Sequence, residues 1–281
     1  MSCLSPVSIK VAYNPLTDPQ KRHGYHYINV PCGHCLGCLQ QRKLEWSFRL
    51  ENEARYCGYP CLFVTLTYNN DFLPSDGNLH KEDLVRFVRK LRRCSAVHFK
   101  YYGCGEYGER FGRPHFHICL FPQDGVIDWS DVNDAWSLQD KYGNKISYGL
   151  CNIKPFIPAR GAYVAKYSMK QFGLDYSGRT LPFALMSKHL GEKFVSVNKK
   201  DFVRNHTLMT QNLSGRRVRL SRYYRDKIFT ASEVVDFMNE TEQYYFSHYD
   251  TGRIIKNKNM LESIEKQAKE KLNQSILNST Q

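Results

Sequence analysis

The segment Pro114-His115-Phe116-His117-Ile118-Cys119-Leu120-Phe121 constrains the fold more than any other. It holds no glycine and no Asp, Glu, Lys or Arg, and it follows a turn-forming run, Glu106 to Arg113, so it predicts a buried strand. Alternate side chains of a strand point to opposite faces, which sends Phe116 into a core and leaves His115 and His117 together on the other face. Two imidazoles so placed can bind one divalent ion; two surface histidines on an edge strand are the competing reading. Glu106 and Glu109 lie just across the expected turn, and either can add an oxygen ligand. Two imidazoles and a carboxylate leave coordination positions open for a phosphate.

Around this strand the pattern is mixed. Cys61–Tyr68, bounded by Pro60 and Asn69-Asn70, predicts a second strand, and 97–105 a third that forms a hairpin with 114–121. Ile153–Phe156 reads as another. Apolar residues at helical spacing predict helices over 39–56, 80–93 and 162–170, and a polar helix over 257–276. The expected class is α+β. Expected divisions are a Cys-rich segment with a helix (1–60), a core (61–175) and a basic C-terminal region ending in a helix (176–281).

Charge points to a partner. With 40 Lys+Arg against 27 Asp+Glu, the 281-residue chain carries a formal +13, while 42% hydrophobic residues suffice for a real core. Such a surplus attracts polyanions, nucleic acid first among them. The 19 Tyr and 16 Phe include side chains suited to stacking on unpaired bases, although most serve a core. No apolar run reaches about 18 residues, so no membrane partner is expected. The first thirteen residues lack the apolar stretch of a secretion signal, and an intracellular protein is expected.

Tyr163 and Tyr167 lie four apart on the expected helix, hence on one face, with Lys166 beside them. A tyrosine hydroxyl can attack a phosphodiester and keep the phosphate, a bound metal makes that attack feasible near neutral pH, and Lys166 can offset the negative charge. Two aromatics on a buried helix face are the alternative.

Taken in order, the Phe63–Tyr68 strand, the His-x-His strand and the Tyr-x-x-x-Tyr helix resemble the three-motif core of the HUH endonucleases. More closely, Gly105-Glu106-Tyr107-Gly108-Glu109, His115-Phe116-His117 and Tyr163-Val164-Ala165-Lys166-Tyr167 are similar to the replication initiators of the Microviridae, the gokushovirus branch above all. Members also share a Pro-Cys-Gly-x-Cys-x-x-Cys element like Pro31–Cys38 and an Arg-Tyr-Tyr segment like Arg222–Tyr224. The resemblance covers about residues 30–230. It implies a central antiparallel sheet flanked by helices, with 61–175 as a nickase core. It further implies Mg²⁺ or Mn²⁺ on His115, His117 and Glu106, Glu106 being preferred to Glu109. Tyr163 and Tyr167 would be nucleophiles that nick single-stranded origin DNA, keep a 5′-phosphate and rejoin ends in rolling-circle replication. The host bacterial cytoplasm is the expected location, with host helicase and polymerase as partners, since the chain has no G-x-x-x-x-G-K-[ST] loop. Thr65 and Thr67 belong to the first motif and read as structural neighbours of the site.

Two further groups stand apart. Cys32, Cys35 and Cys38, with His34, Cys57 and Cys61 not far off, could enclose a structural Zn²⁺, a metal-free thiol turn being the rival. A zinc deaminase would need an H-x-E element earlier in the chain, and none precedes residue 31. Arg216–Lys227 interleaves arginines with tyrosines, so Arg217, Arg219, Arg222 and Tyr223 are candidate DNA contacts, against a merely solvated cationic face. The helix Lys81–Arg93, with Arg86, Arg89, Lys90, Arg92 and Arg93, is a second basic surface. Two other functions are compatible with the composition: a single-stranded DNA-packaging protein without catalysis, and a metal-dependent hydrolase using activated water. The missing H-E-x-x-H motif disfavours a peptidase.

Overall fold

The computed structural model describes residues 3–12, 24–108, 110–166, 178–212, 215, 217–230, 232–234, 236–237, 259, 262–263 and 266. The expected terminal helix over 257–276 lies almost entirely outside them. The chain divides into two compact units, Met1–Arg42 with Phe172–Asp175 and Tyr249–Gln281, and Lys43–Gln171 with Tyr176–His248.

In the first unit β1 (Val7–Ala12) pairs antiparallel with β2 (Tyr25–Val30), in register from Val7↔Val30 to Ala12↔Tyr25. No pattern in the sequence announces this hairpin. Both strands are mostly exposed, including Val7, Ile9, Tyr25, Tyr27 and Ile28. Helix α1 (Leu36–Cys57) begins in this unit.

The second unit contains, in order, β3 (Leu62–Thr67), α2 (Lys81–Cys94), β4 (Phe99–Tyr107), β5 (Pro114–Pro122), α3 (Trp129–Ala135), β6 (Ser137–Gln139), β7 (Lys145–Ser147), β8 (Cys151–Pro155), α4 (Pro158–Lys166), β9 (Phe183–Met186), α5 (Lys193–Arg204), β10 (Met209–Gln211), β11 (Arg217–Arg219) and α6 (Arg222–Ile228). Five strands form one antiparallel sheet in the order β8-β3-β5-β4-β9, and β6-β7 and β10-β11 are separate two-stranded pairs. The fold is therefore α+β with a central antiparallel sheet flanked by helices.

Strand alternation divides the sheet's side chains between two cores. One face presents Val64 and Leu66 from β3 with Phe116, Ile118 and Leu120 from β5, covered by Leu84, Phe87, Val88 and Leu91 of α2 and by Val132 and Ala135 of α3. Each such fully buried side chain contributes about 1.5–3 kcal/mol. Gly105 on β4 belongs to this face, where a Cβ would stand 2.9 Å from the Phe183 ring and 3.0 Å from Leu79. The other face presents Phe63, Tyr102, Cys104, Cys119 and Phe121, packed against Leu50 of α1, Val164 of α4 and Leu190. A third core joins Phe48 of α1 to Phe194 and Phe202 of α5 and to Tyr224 and Ile228 of α6.

The β4–β5 hairpin differs from expectation in one consequential way. Strand β4 runs two residues past Gly105, so Glu106 lies in the strand and not in the turn. The turn closes only when Gly108 N–H donates to the Arg113 carbonyl (2.9 Å), and Gly112 supplies the positive φ of 60° that the return needs.

Candidate active site

The helix-covered face that carries Phe121 and Cys119 changes character toward the other end of β5. There the register sets His115 opposite Glu106 on β4, and His117 opposite Thr65 on β3. All four side chains share one face because each pair is directly opposed and residues two apart on one strand point the same way.

The polar atoms converge on one carboxylate oxygen. Glu106 Oε1 lies 2.7 Å from His117 Nε2 and 2.9 Å from His115 Nε2. Glu106 is 1% exposed and His117 7%, so water screens them little. The other ring nitrogens are anchored. His115 Nδ1 stands 3.2 Å from the Arg113 carbonyl, which can only accept, so Nδ1 donates and the neutral ring keeps its Nε2 lone pair. His117 Nδ1 is 2.9 Å from Thr65 Oγ1, and the His117 ring stacks on Phe63 at 5.4 Å. One oxygen of Glu106 and one nitrogen of each histidine lie within 4.8 Å of one another. Lone pairs packed so closely need a shared proton or a cation between them, and hydrogen-bonded imidazoles with a carboxylate suit a divalent metal.

Tyr163, on α4, reaches the same oxygen: its hydroxyl donates to Glu106 Oε1 at 3.1 Å, and its ring meets His117 edge-on at 5.2 Å. The ring is 41% exposed, so the phenol faces both the donor set and solvent. Helix α4 starts at Pro158, four residues before the expected 162, and Pro suits that first position because it needs no amide donor there. Val164 and Ala165 bury themselves, which turns Tyr163 to the site and leaves Lys166 exposed. Tyr167 and Glu109 lie outside the described residues.

Thr67 does not touch the histidines; its Oγ1 accepts from the Leu150 amide at 3.2 Å and holds the lead-in to β8. At the tip of the β4–β5 turn Phe111 is 74% exposed, with the Arg110 guanidinium 4.9 Å from its ring centre. Sequence reading does not single it out, because an aromatic in a turn carries no periodicity.

The basic stretch is split. Arg217, Arg219 and Arg222 are exposed, Arg222 pairing with Asp226 at 3.2 Å. The Tyr223 ring, by contrast, is covered by the Arg49 guanidinium at 3.8 Å and approached by Lys227 at 5.3 Å, which takes it out of reach of a base. Helix α2 packs on the sheet face opposite the Glu106 donor set, with Arg86 bound to Asp83 at 3.1 Å.

The cysteine cluster needs one correction. Cys32, Cys35 and Cys38 come together with Cys3, not with His34, Cys57 or Cys61. His34 is exposed with Nδ1 2.9 Å from the Cys32 carbonyl, and Cys57 and Cys61 belong to the second unit. An incomplete C-x₂-C-x₂-C set is the signal that asks for a fourth thiol, but nothing local points 29 residues upstream.

The fold and donor set thus define a mixed helix-and-sheet protein with a Glu-His-His cluster beside a tyrosine. The family of replication-associated proteins typified by ORF2 matches residues 61–172, the stretch that holds that cluster. Three curated proteins are similar over most of the chain. The replication-associated protein ORF2 of Spiroplasma virus 4 is 28% identical, covering 80% of this chain and 79% of its own length. The replication-associated protein ORF4 of Chlamydia phage 1 is 27% identical over 79% of this chain and 60% of its own length. The replication-associated protein VP4 of Bdellovibrio phage phiMH2K is 26% identical over 80% and 76%. These relationships support a Microviridae-like replication initiator. No solved structure matches. Among the described residues no helix is long and apolar enough to cross a membrane.

Proposed function

We propose that the chain initiates phage replication as a metal-dependent endonuclease that nicks single-stranded origin DNA through a tyrosine. One observation carries the reading: the Tyr163 hydroxyl donates to the same Glu106 oxygen that faces both His115 and His117. Kinship with microvirus replication-associated proteins supports the setting.

His115, His117 and Glu106 would hold Mg²⁺ or Mn²⁺, and such an ion, when bound, supplies charge that polarises the scissile phosphate. The chain's own groups do the rest. Tyr163 oxygen attacks phosphorus, giving up its proton toward Glu106, the acceptor it already faces. The bond from phosphorus to the 3′-oxygen breaks, that oxygen takes a proton from water, and the 5′-phosphate stays on the tyrosine. A free 3′-hydroxyl then primes synthesis. The reverse attack by a 3′-hydroxyl rejoins the strand without ATP, because one phosphodiester replaces another. Lys166, one helical turn on, offsets charge on the phosphate, and Tyr167 serves as a second nucleophile for the regenerated origin. Arg217, Arg219 and Arg222 contact the backbone, and Phe111 stacks on an unpaired base. Host helicase and polymerase complete replication in the bacterial cytoplasm.

The test is incubation with an end-labelled single-stranded origin oligonucleotide and Mn²⁺, followed by a denaturing gel and peptide mapping. A protein–DNA adduct on the peptide bearing Tyr163 or Tyr167 is expected. Cleavage with no adduct would instead mean hydrolysis by activated water, and binding with no cleavage a packaging protein.

A further inference from the structure

We propose that Cys3, Cys32, Cys35 and Cys38 bind one zinc ion that clamps the β1–β2 hairpin to the start of α1. The four sulfurs come from three places in the first unit: the stretch ahead of β1, the stretch just after β2, and the entry and first turn of α1. Their separations are 3.5 Å for Cys3–Cys32, 3.8 Å for Cys3–Cys35 and 3.9 Å for Cys32–Cys38. A tetrahedron with Zn–S bonds of about 2.3 Å has edges of roughly 3.8 Å. The thiols thus already sit at the spacing of a closed four-sulfur site, with no room left for substrate. Such a site is structural.

The surrounding backbone is arranged for thiolates. The amides of Cys35 and Cys32 donate to Cys32 Sγ and Cys3 Sγ, each at 3.3 Å, and that of Leu4 to Cys35 Sγ at 3.4 Å. Gly33, at φ 82°, allows the chain to reverse between Cys32 and Cys35. The positive end of α1 faces Cys35 and Cys38 and favours negative sulfur. Burial opposes the Cys35 thiolate, yet the Leu4 and Cys38 amides outweigh it and bring its pKa down to about 6, while burial pushes Cys38 up to about 12.

The hairpin also needs a staple. A two-stranded ribbon is marginal by itself, and here the strand side chains are largely in water. Where apolar burial is this small, a bound metal is the usual source of folding free energy.

The experiment is elemental analysis of the full-length chain, expressed with zinc supplied and passed through gel filtration, beside Co²⁺ titration of the metal-stripped protein. One zinc per chain and a tetrahedral four-thiolate cobalt spectrum are expected. Cys3→Ser should weaken Co²⁺ binding about 100-fold and Cys94→Ser, at an exposed thiol, not at all. Iron in place of zinc, a disulfide among the four, substoichiometric metal, or full affinity in Cys3→Ser would each overturn the proposal. If Cys3→Ser fails to fold, the metal content of the unaltered chain still decides. None of these readings depends on nicking.

Discussion

Strand β5 carries two chemistries on its two faces, and the contrast shows what a sheet can and cannot absorb. Phe116, Ile118 and Leu120 point into the core under α2, fully buried, and their job is stability. His115 and His117 point the other way, beside Glu106 and Tyr163, where burial costs stability and supplies chemistry. Adjacent residues should therefore fail in different assays.

The largest expected effect is on the nucleophiles. Tyr163→Phe with Tyr167→Phe should abolish the covalent adduct while binding to single-stranded DNA persists, as gel-shift and denaturing gels would report. Next come neighbours on β5. His117→Ala should lower the nicking rate about 100- to 1,000-fold with little change in the unfolding midpoint. Phe116→Ala should cost about 3–5 kcal/mol in denaturant unfolding. If His117→Ala destabilised as much as Phe116→Ala, the two faces would not differ in kind. A smaller effect is expected for Thr65→Val, which removes the oxygen facing His117 Nδ1. It should raise the Mn²⁺ concentration needed for half-maximal nicking about 10- to 100-fold, with maximal rate nearly kept. Smallest is the loss of charge from Arg217 and Arg219: the slope of log affinity against log salt should fall by about 0.7 for each phosphate contact removed. An unchanged slope would leave that strand without a role on DNA.

The faces of β5 are legible because strand alternation is written in neighbouring residues. So are α2, whose Leu84, Phe87, Val88 and Leu91 recur at helical spacing, and the orientation of the two histidines. Long-range pairings are not. Strand β9 has only four residues, and it is a strand because it pairs with Tyr102–Gly105, roughly eighty positions away. Cys3 joins Cys32 through a hairpin whose strands carry no buried stripe to announce it. The position of Glu106 depends on where the turn closes, a matter settled by the Gly108–Arg113 hydrogen bond and not by any feature of the glutamate.

The direct opposition of Glu106 and His115 has an evolutionary corollary. Length changes between Tyr107 and Pro114 only enlarge a surface loop, so that tip is free to diversify among relatives that meet different origins. Adding or deleting one residue inside β5 would turn the imidazoles toward α2 and put Phe116 where the ion belongs, ruining solubility and catalysis in a single step. Indels should thus be common at the tip and absent from the strand.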